Sequence, residues 1–254
     1  MGYEEDELQH LRLALEAETE RRLELQRQLE RTNAEFEEFV SVAAHDLRQS
    51  LRDVTSYSEL LAEGYAARLD SDAVGFLERI QTGAAKMQIL LSDVVEYWAG
   101  VPGEPRDSQT DLEAALAQAL LRAGKEVAER GAIITNDPLP TVSGDFQTLT
   151  KVLLQLIRNA IEYCDAPPAR VHISARREDV DWVISVRDNG PGIEPAFQDR
   201  IFRAFKRLHG KEYPGSGLGL AFCKKAILWH GGRIWLDSRP GQGSIFYFSL
   251  PLSD

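Results

Sequence analysis

The chain is poor in several things that would otherwise set its class. It has two cysteines in 254 residues, Cys164 and Cys223, too far apart to suggest a ligand pair or a disulfide framework. They fit a reduced, cytoplasmic setting. No apolar run is long enough to span a bilayer, and no signal peptide opens the chain. In "MGYEED", Asp6 stands where a myristoylation motif needs Ser or Thr. Basic residues are outnumbered: 29 Lys and Arg against 40 Asp and Glu give a net charge of -11. That balance argues against nucleic acid as the main partner, since phosphate recognition wants a basic face. There are no internal repeats and no low-complexity tail.

The first forty residues contain no proline and are rich in Glu, Arg, Leu and Gln. Leu8, Leu11, Leu15, Leu25, Leu29, Phe36 and Phe39 fall on a seven-residue repeat, interrupted at Glu18, Arg22 and Thr32. This is a coiled-coil pattern with polar layers; a single solvated helix would leave its stripe wet. From Ala43 the apolar steps change to Leu47, Leu51, Val54, Ser58 and Leu61, a run that begins with fours, as in a stutter. His45, two residues from both Ala43 and Leu47, then points away from this stripe at about 100° per residue. After a break near "EGYAARLDSD", Ser71 or Asp72 can cap a second helix whose apolar face is Ala73, Leu77, Ile80, Ala84, Met87, Leu91, Val94 and Trp98. Two hairpins of this kind complete a four-helix bundle, so a homodimer is expected. "AGVPGEPRDSQ" reads as a linker.

Beyond it the pattern is α+β. "DLEAALAQALLRAGKEVAERG" reads as helical, "AIIT" as a short strand, and "GDFQTLTKVLLQLIRNAIEYC" as a helix with Phe146, Leu149, Leu153, Leu156 and Ala160 on one face. "ARVHISARRE" and "DWVISVRDNG" look like paired strands, "GLGLAFCKKAILWHGG" like a helix, and "GRIWLDS" with "GSIFYFSLP" like a closing hairpin. Helices on one face of a mixed sheet are the expected layers.

Three segments carry more than structure. "VRDNGPGIE" puts Asp188 at a strand end, where a buried carboxylate can accept from a base's exocyclic amine, and Gly190 and Gly192 would let a ligand approach the backbone. Taken alone, "DNGPG" is equally an ordinary turn. "YPGSGLGLAF" sets Gly215, Gly217 and Gly219 at a helix start, where free N–H groups meet an anion. No Gly-Lys-Ser/Thr follows, and the preceding "FKRLHGKEY" is not a strand, so it is neither a Walker loop nor a dinucleotide fingerprint. A lid carrying Lys206, Arg207 and Lys211 over phosphates fits better. Gln155, Asn159 and Glu162 share one helix face bordering the apolar stripe. An Asn amide oxygen suits a Mg²⁺ held mostly by a triphosphate, although a lone helical Asn is usually just solvated.

In this order, "LIRNAIEY", "DNGPGI", "IFRAF" and "GSGLGL" resemble the ATP-binding domain of sensor histidine kinases, of the GHKL or Bergerat fold. "HDLRQSL" resembles the phosphoacceptor box of the same family. The resemblance runs from about Glu35 to Pro251 and is similar above all to the output modules of phytochromes and related sensor kinases. After the coiled coil that the repeat places over residues 1–38, it implies a dimerisation and phosphotransfer helical hairpin over 39–99, a linker over 100–108, and an ATP-binding α/β sandwich over 109–254.

The resemblance also assigns roles. His45 matches the phosphorylated histidine, and Asp46 the acid that orients it by holding the other nitrogen's proton. Gln49 matches a water-positioning residue of members with phosphatase activity. Asn159 matches the magnesium-binding Asn, Asp188 the adenine-reading Asp, and Tyr163 an aromatic near the base. Gly190 and Gly192 match the first glycine box, Phe202 and Phe205 the phenylalanine box, and Gly215, Gly217, Leu218 and Gly219 the second glycine box. ATP and Mg²⁺ are the implied cofactors, and the implied partner is the receiver domain of a response regulator. No receiver-like or sensor sequence occurs, and the chain reads as the output half of a larger sensor. Three positions depart from the family: Ser50 replaces a common Pro, Gln155 a common Asn, and Glu162 a common Lys. They motivate a catalytically weak ATP-binding dimer scaffold, and Gln49 a phosphatase-dominant enzyme, as alternatives.

Overall fold

The computed structural model describes residues 2–65, 68–99, 108–165, 167–206 and 216–252. Helix α1, Gly2–Tyr65, is one uninterrupted helix of 64 residues. Nothing in its sequence breaks it, and the exposed pairs Arg22–Glu18 and Arg31–Glu35 add i,i+4 support. At Ser50 the hydroxyl donates to the Asp46 carbonyl at 3.2 Å, and the helix runs straight on.

Helix α2, Ser71–Ala99, packs back along α1. Its cap is Asp70, one residue before the expected Ser71 or Asp72: the Asp70 carboxylate accepts from the Ala73 N–H at 2.8 Å. All three residues are of types that can cap, so local chemistry does not separate them. The face turned to α2 keeps Leu51 and Ser58 of the expected stripe and drops the rest of it. Ala44 and Ser58 are buried and Leu51 half-buried, on a seven-residue spacing. Leu47, Val54 and Leu61 remain 52%, 45% and 47% exposed. On α2, Ala84 is buried, whereas Ile80 and Met87 are exposed. Small residues face inward because they let two helices approach closely; the larger side chains form a second, outward face. The α1 stripe at Leu15, Leu25, Leu29 and Phe39 is exposed, and the side chains of Leu8 and Leu11 lie outside the described residues. Residues 100–107 of the expected linker lie outside the described residues as well.

The C-terminal half begins with β1, Gln109–Asp111, and helix α3, Leu112–Arg122, capped by the Asp111 carboxylate. The expected single helix divides here: the chain turns at Ala123 and resumes as α4, Gly124–Arg130. Strands β2, Ile133–Asn136, and β3, Thr141–Ser143, come next, and β1 pairs with β3 in a small sheet of three-residue strands. Helix α5 is Phe146–Glu162; strands β4, Arg170–Glu178, and β5, Asp181–Asp188, follow. The short α6, Pro195–Gln198, precedes α7, Gly219–Trp229, and the hairpin β6, Ile234–Ser238, with β7, Ser244–Pro251.

The main sheet has the order β2-β4-β5-β7-β6 and is antiparallel except between β2 and β4. Alternation along the strands turns Ile173, Ile184, Phe246 and Phe248 toward Leu153, Leu156 and Ile157 of α5 and Ile227 of α7, all fully buried. On the opposite sheet face Trp235 stacks on Tyr247 at 5.5 Å, with Arg233 over the Trp235 ring. The expected α+β layers, with a long N-terminal helix and a mixed sheet, are therefore present.

Candidate functional site

Two places in the fold collect the predicted residues. The first is the surface of α1. His45 and Asp46 side chains are 70% and 78% exposed, and His45 Nδ1 lies 3.2 Å from Asp46 Oδ1. With the proton on Nδ1 this contact is a hydrogen bond, and the lone pair falls on Nε2. Gln49 is exposed one turn later; its Oε1 accepts from Arg52 Nη2 at 2.8 Å. None of these three lines the cavity that holds the other predicted residues.

The second is a cavity of about 510 Å³. Asn159, Tyr163, Asp188, Gly190, Gly192, Lys206, Gly217 and Gly219 line it, together with Gln155 and Glu162. Three residues of the family boxes do not. Leu218 is buried at the start of α7, so its side chain is turned away from the cavity. Phe205 has φ 60°, donates its N–H to the Gly217 carbonyl and leaves its ring exposed. Phe202 packs edge-on against Phe246 in the core. Arg207, Lys211 and Gly215 lie outside the described residues.

Helix α5 supplies one wall. Its start is fixed by Asp145, whose carboxylate accepts from the Thr148 N–H and hydroxyl, while His230 Nε2 accepts the Asp145 N–H at 3.0 Å. Further along, the spacing from Gln155 to Asn159 to Glu162 brings all three polar side chains to the cavity. Arg158 is drawn sideways to Glu126 of α4 at 2.8 Å. Gln155 reaches the first turn of α7: a Cβ on Gly219 would stand 2.7 Å from its Oε1.

The end of β5 supplies the facing wall. Asp188 Oδ1 accepts from the N–H groups of Gly190 at 2.9 Å and Ser244 at 3.0 Å, which leaves Oδ2 for a ligand. Burial raises its carboxyl above the usual range, and the two backbone bonds oppose that rise. Two glycines make the wall possible. Gly192, at φ 74°, has no room for a Cβ against the Arg239 carbonyl, and Gly243, at φ 78°, has none against the Asp188 carbonyl. The Ser238 hydroxyl accepts from the Ile193 N–H, and Gln198 Nε2 donates to the carbonyls of Ile193 and Ser238, so the loop is held from behind.

Helix α7 closes one end. Its first turn has no side-chain cap, so its N–H groups are available to an anion, with Lys206 on the same cavity. A buried acceptor at one end and helix N–H groups with a cation elsewhere match a purine bearing phosphates. No cluster of three or more His, Cys, Asp or Glu side chains able to hold a metal forms among the described residues. The Asn159 amide oxygen is a neutral hard donor suited to a cation carried by phosphates.

Sequence reasoning missed Ile89 and Asp93 of α2, Ser216 and Ser244, all of which line the cavity. Ser244 works through its backbone, and Ile89 and Asp93 arrive from a distant segment, so no local pattern marks them. No described helix is long and apolar enough to cross a membrane.

Residues 144–254 match the family described as histidine kinase-, DNA gyrase B-, and HSP90-like ATPase. Cyanobacterial phytochrome A of Nostoc sp. (strain PCC 7120) is 44% identical over 230 residues, covering 90% of this chain and 30% of that protein. The alginate biosynthesis sensor protein KinB of Pseudomonas aeruginosa is 32% identical, covering 89% of this chain and 38% of that one. Full-length ShkA, solved in complex with AMPPNP, superposes with a TM-score of 0.65 at 27% identity, over 85% of this chain and 46% of that one. The chain spans about a third of the length of the first curated relatives it matches. The family match over the C-terminal half and relatives that cover about nine-tenths of this chain agree with the local geometry: the chain belongs to the sensor histidine kinases, and its C-terminal half is a GHKL-type ATPase domain.

Proposed function

We propose that the chain is the output module of a sensor histidine kinase that binds ATP in the Asp188 cavity and phosphorylates His45. The observation that carries this is the coexistence of two devices: an imidazole on an open helix face with Nδ1 tied to Asp46, and a cavity walled by Asp188, Asn159 and the α7 N-terminus.

Asp188 Oδ2 accepts from the adenine amine, and Tyr163 lies beside the base. The first-turn N–H groups of α7 and Lys206 hold phosphate oxygens. Asn159 would hold Mg²⁺, which neutralises charge on the phosphates. Asp46 fixes the His45 tautomer, so Nε2 attacks the γ-phosphorus while ADP leaves; the Nδ1 proton stays on its hydrogen bond to the carboxylate. Most of the rate comes from positioning. The phosphoryl group then passes to an Asp of a response regulator receiver domain. Gln49, exposed one turn from His45, supports a second activity, hydrolysis of the phosphorylated partner.

The functional unit is a homodimer. Leu47, Val54 and Leu61 are a second apolar row facing away from α2, and a second hairpin would cover it. The coiled coil over 1–38 carries the signal into the hairpin over 39–99, ahead of the catalytic domain.

Incubation with γ-labelled ATP tests the reading. The chain should acquire acid-labile, base-stable label, and His45→Gln should remove it without changing ATP affinity or melting temperature, because the side chain is exposed. Label on the variant would refute the assignment, and an unlabelled wild-type chain that binds ATP would favour the scaffold reading.

A further inference from the structure

The nucleotide cavity is not made by the ATPase domain alone. Asp93 of α2 enters it beside Ser216, immediately before the glycines that open α7. The Ser216 hydroxyl oxygen accepts the Leu218 N–H at 3.2 Å and donates to the Asp93 carboxylate. A carboxylate of the hairpin is thus hydrogen-bonded to the turn that lines the cavity ahead of α7.

The cations around it are committed elsewhere. Lys151 of α5 pairs with Glu96 at 2.8 Å, and Arg158 pairs with Glu126 at 2.8 Å. Glu96, one turn along α2, repels Asp93, while Lys151 and Arg158 attract it. Burial pushes the Asp93 carboxyl up, the largest influence on it, and the Ser216 bond only partly offsets this.

Docking of the two parts is held by a separate joint. Lys225 of α7 donates from Nζ to the carbonyls of Tyr97 at 3.3 Å and Trp98 at 3.1 Å, at the end of α2 where carbonyls lack helical partners. The same ammonium lies 5.6 Å from both ring centroids and 4.0 Å from Glu37 of α1. Phe36 packs edge-on to Trp98 at 4.6 Å.

We propose that Asp93 is an internal stand-in for phosphate: in the docked arrangement its carboxylate occupies the triphosphate end of the cavity, so docking of α2 through Lys225 and binding of the ATP phosphates oppose each other. The proposal rests on the nucleotide-binding reading above. Movement of α1 at Phe36 and Glu37, which touch the joint, would release the carboxylate and raise ATP affinity.

The test is calorimetric titration of ATP and of adenosine into the full chain, with Mg²⁺ present. Asp93→Asn should tighten ATP by about threefold to tenfold, the size of one charge–charge contact at cleft dielectric, and leave adenosine unchanged. Lys225→Ala, which opens the joint without touching the cavity, should tighten ATP similarly. The double variant should exceed neither single by more than about twofold, because both remove one interaction. Unchanged or weaker ATP binding by Asp93→Asn, with the wild type binding normally, overturns the stand-in and leaves the nucleotide reading intact. An equal gain for adenosine shows that crowding and not charge is relieved, and also overturns it. Failure of wild type and both variants to bind ATP overturns the nucleotide reading itself.

Discussion

Asp188→Asn should separate binding from stability. The amide oxygen can keep both backbone bonds that Oδ1 now accepts, from Gly190 at 2.9 Å and Ser244 at 3.0 Å, so the wall of the cavity survives. What changes is the other atom. An acceptor becomes an NH₂ donor facing the donor amine of adenine. Loss of a hydrogen bond to a charged acceptor is worth about 1.5–3 kcal/mol, or roughly tenfold to a hundredfold in affinity. ATP and adenosine should weaken together, since neither phosphates nor metal are involved. Inosine triphosphate, whose base carries a carbonyl oxygen in place of the adenine amine and can accept from the new amide, should lose less. Stability should move the other way. Burial raises the Asp188 carboxyl, so the folded chain binds that proton more tightly than the unfolded chain does. Stability from this group is therefore present at low pH and falls as pH rises from the ordinary aspartate range through the raised folded value. At pH 7 the neutral variant avoids that cost and should melt at the same or a higher temperature, the gap closing as pH falls. Calorimetric titration with the three ligands and melting from pH 7.5 to 4.5 check both halves. Retained adenosine affinity, or a variant that melts lower at pH 7, would refute the reasoning.

Other outcomes follow from features of the same structure. His230 is buried with Nδ1 on the Ala226 carbonyl and Nε2 accepting from Asp145, and burial lowers its pKa. Its stabilising contribution should be complete above about pH 6.5 and lost as pH falls toward the lowered folded value, at no more than about 1.4 kcal/mol per pH unit. Replacement by Asn should flatten that part of a melting-versus-pH curve; an identical slope would contradict the assignment. Val54→Glu places a charge in the exposed row with Leu47 and Leu61, so light scattering should show a monomer that still binds nucleotide. A dimer of wild-type strength would move the interface elsewhere.

The legible parts of the fold were those with a strong local period. The α5 stripe and the alternation of β4, β5 and β7 are clear because each buries apolar residues at its own period. Strands β1 and β3 are three residues each, too short to show alternation, and exist because they pair. On α1 two seven-residue rows compete, Ala44–Leu51–Ser58 and Leu47–Val54–Leu61. Hydrophobicity favours the second, whereas close helix approach selected the small residues of the first. At the cavity, spacing along α5 and the glycine turns located most lining residues. Phe202 and Phe205 look alike in sequence, yet one packs in the core and the other is exposed at positive φ. Asp93 was invisible for another reason: its place depends on how α2 meets α7, which no window of sequence records.

The unbroken ladder of α1 gives its length an angular meaning. From Gly2 to His45 it spans about 65 Å at 1.5 Å per residue, with no hinge to absorb torsion. A residue inserted within this stretch turns everything before it by about 100° relative to His45, whereas seven return nearly the starting phase. On the proposed signalling role, such a helix would act as a shaft with a fixed keyway: what it delivered to the hairpin would be set by rotational phase as much as by distance.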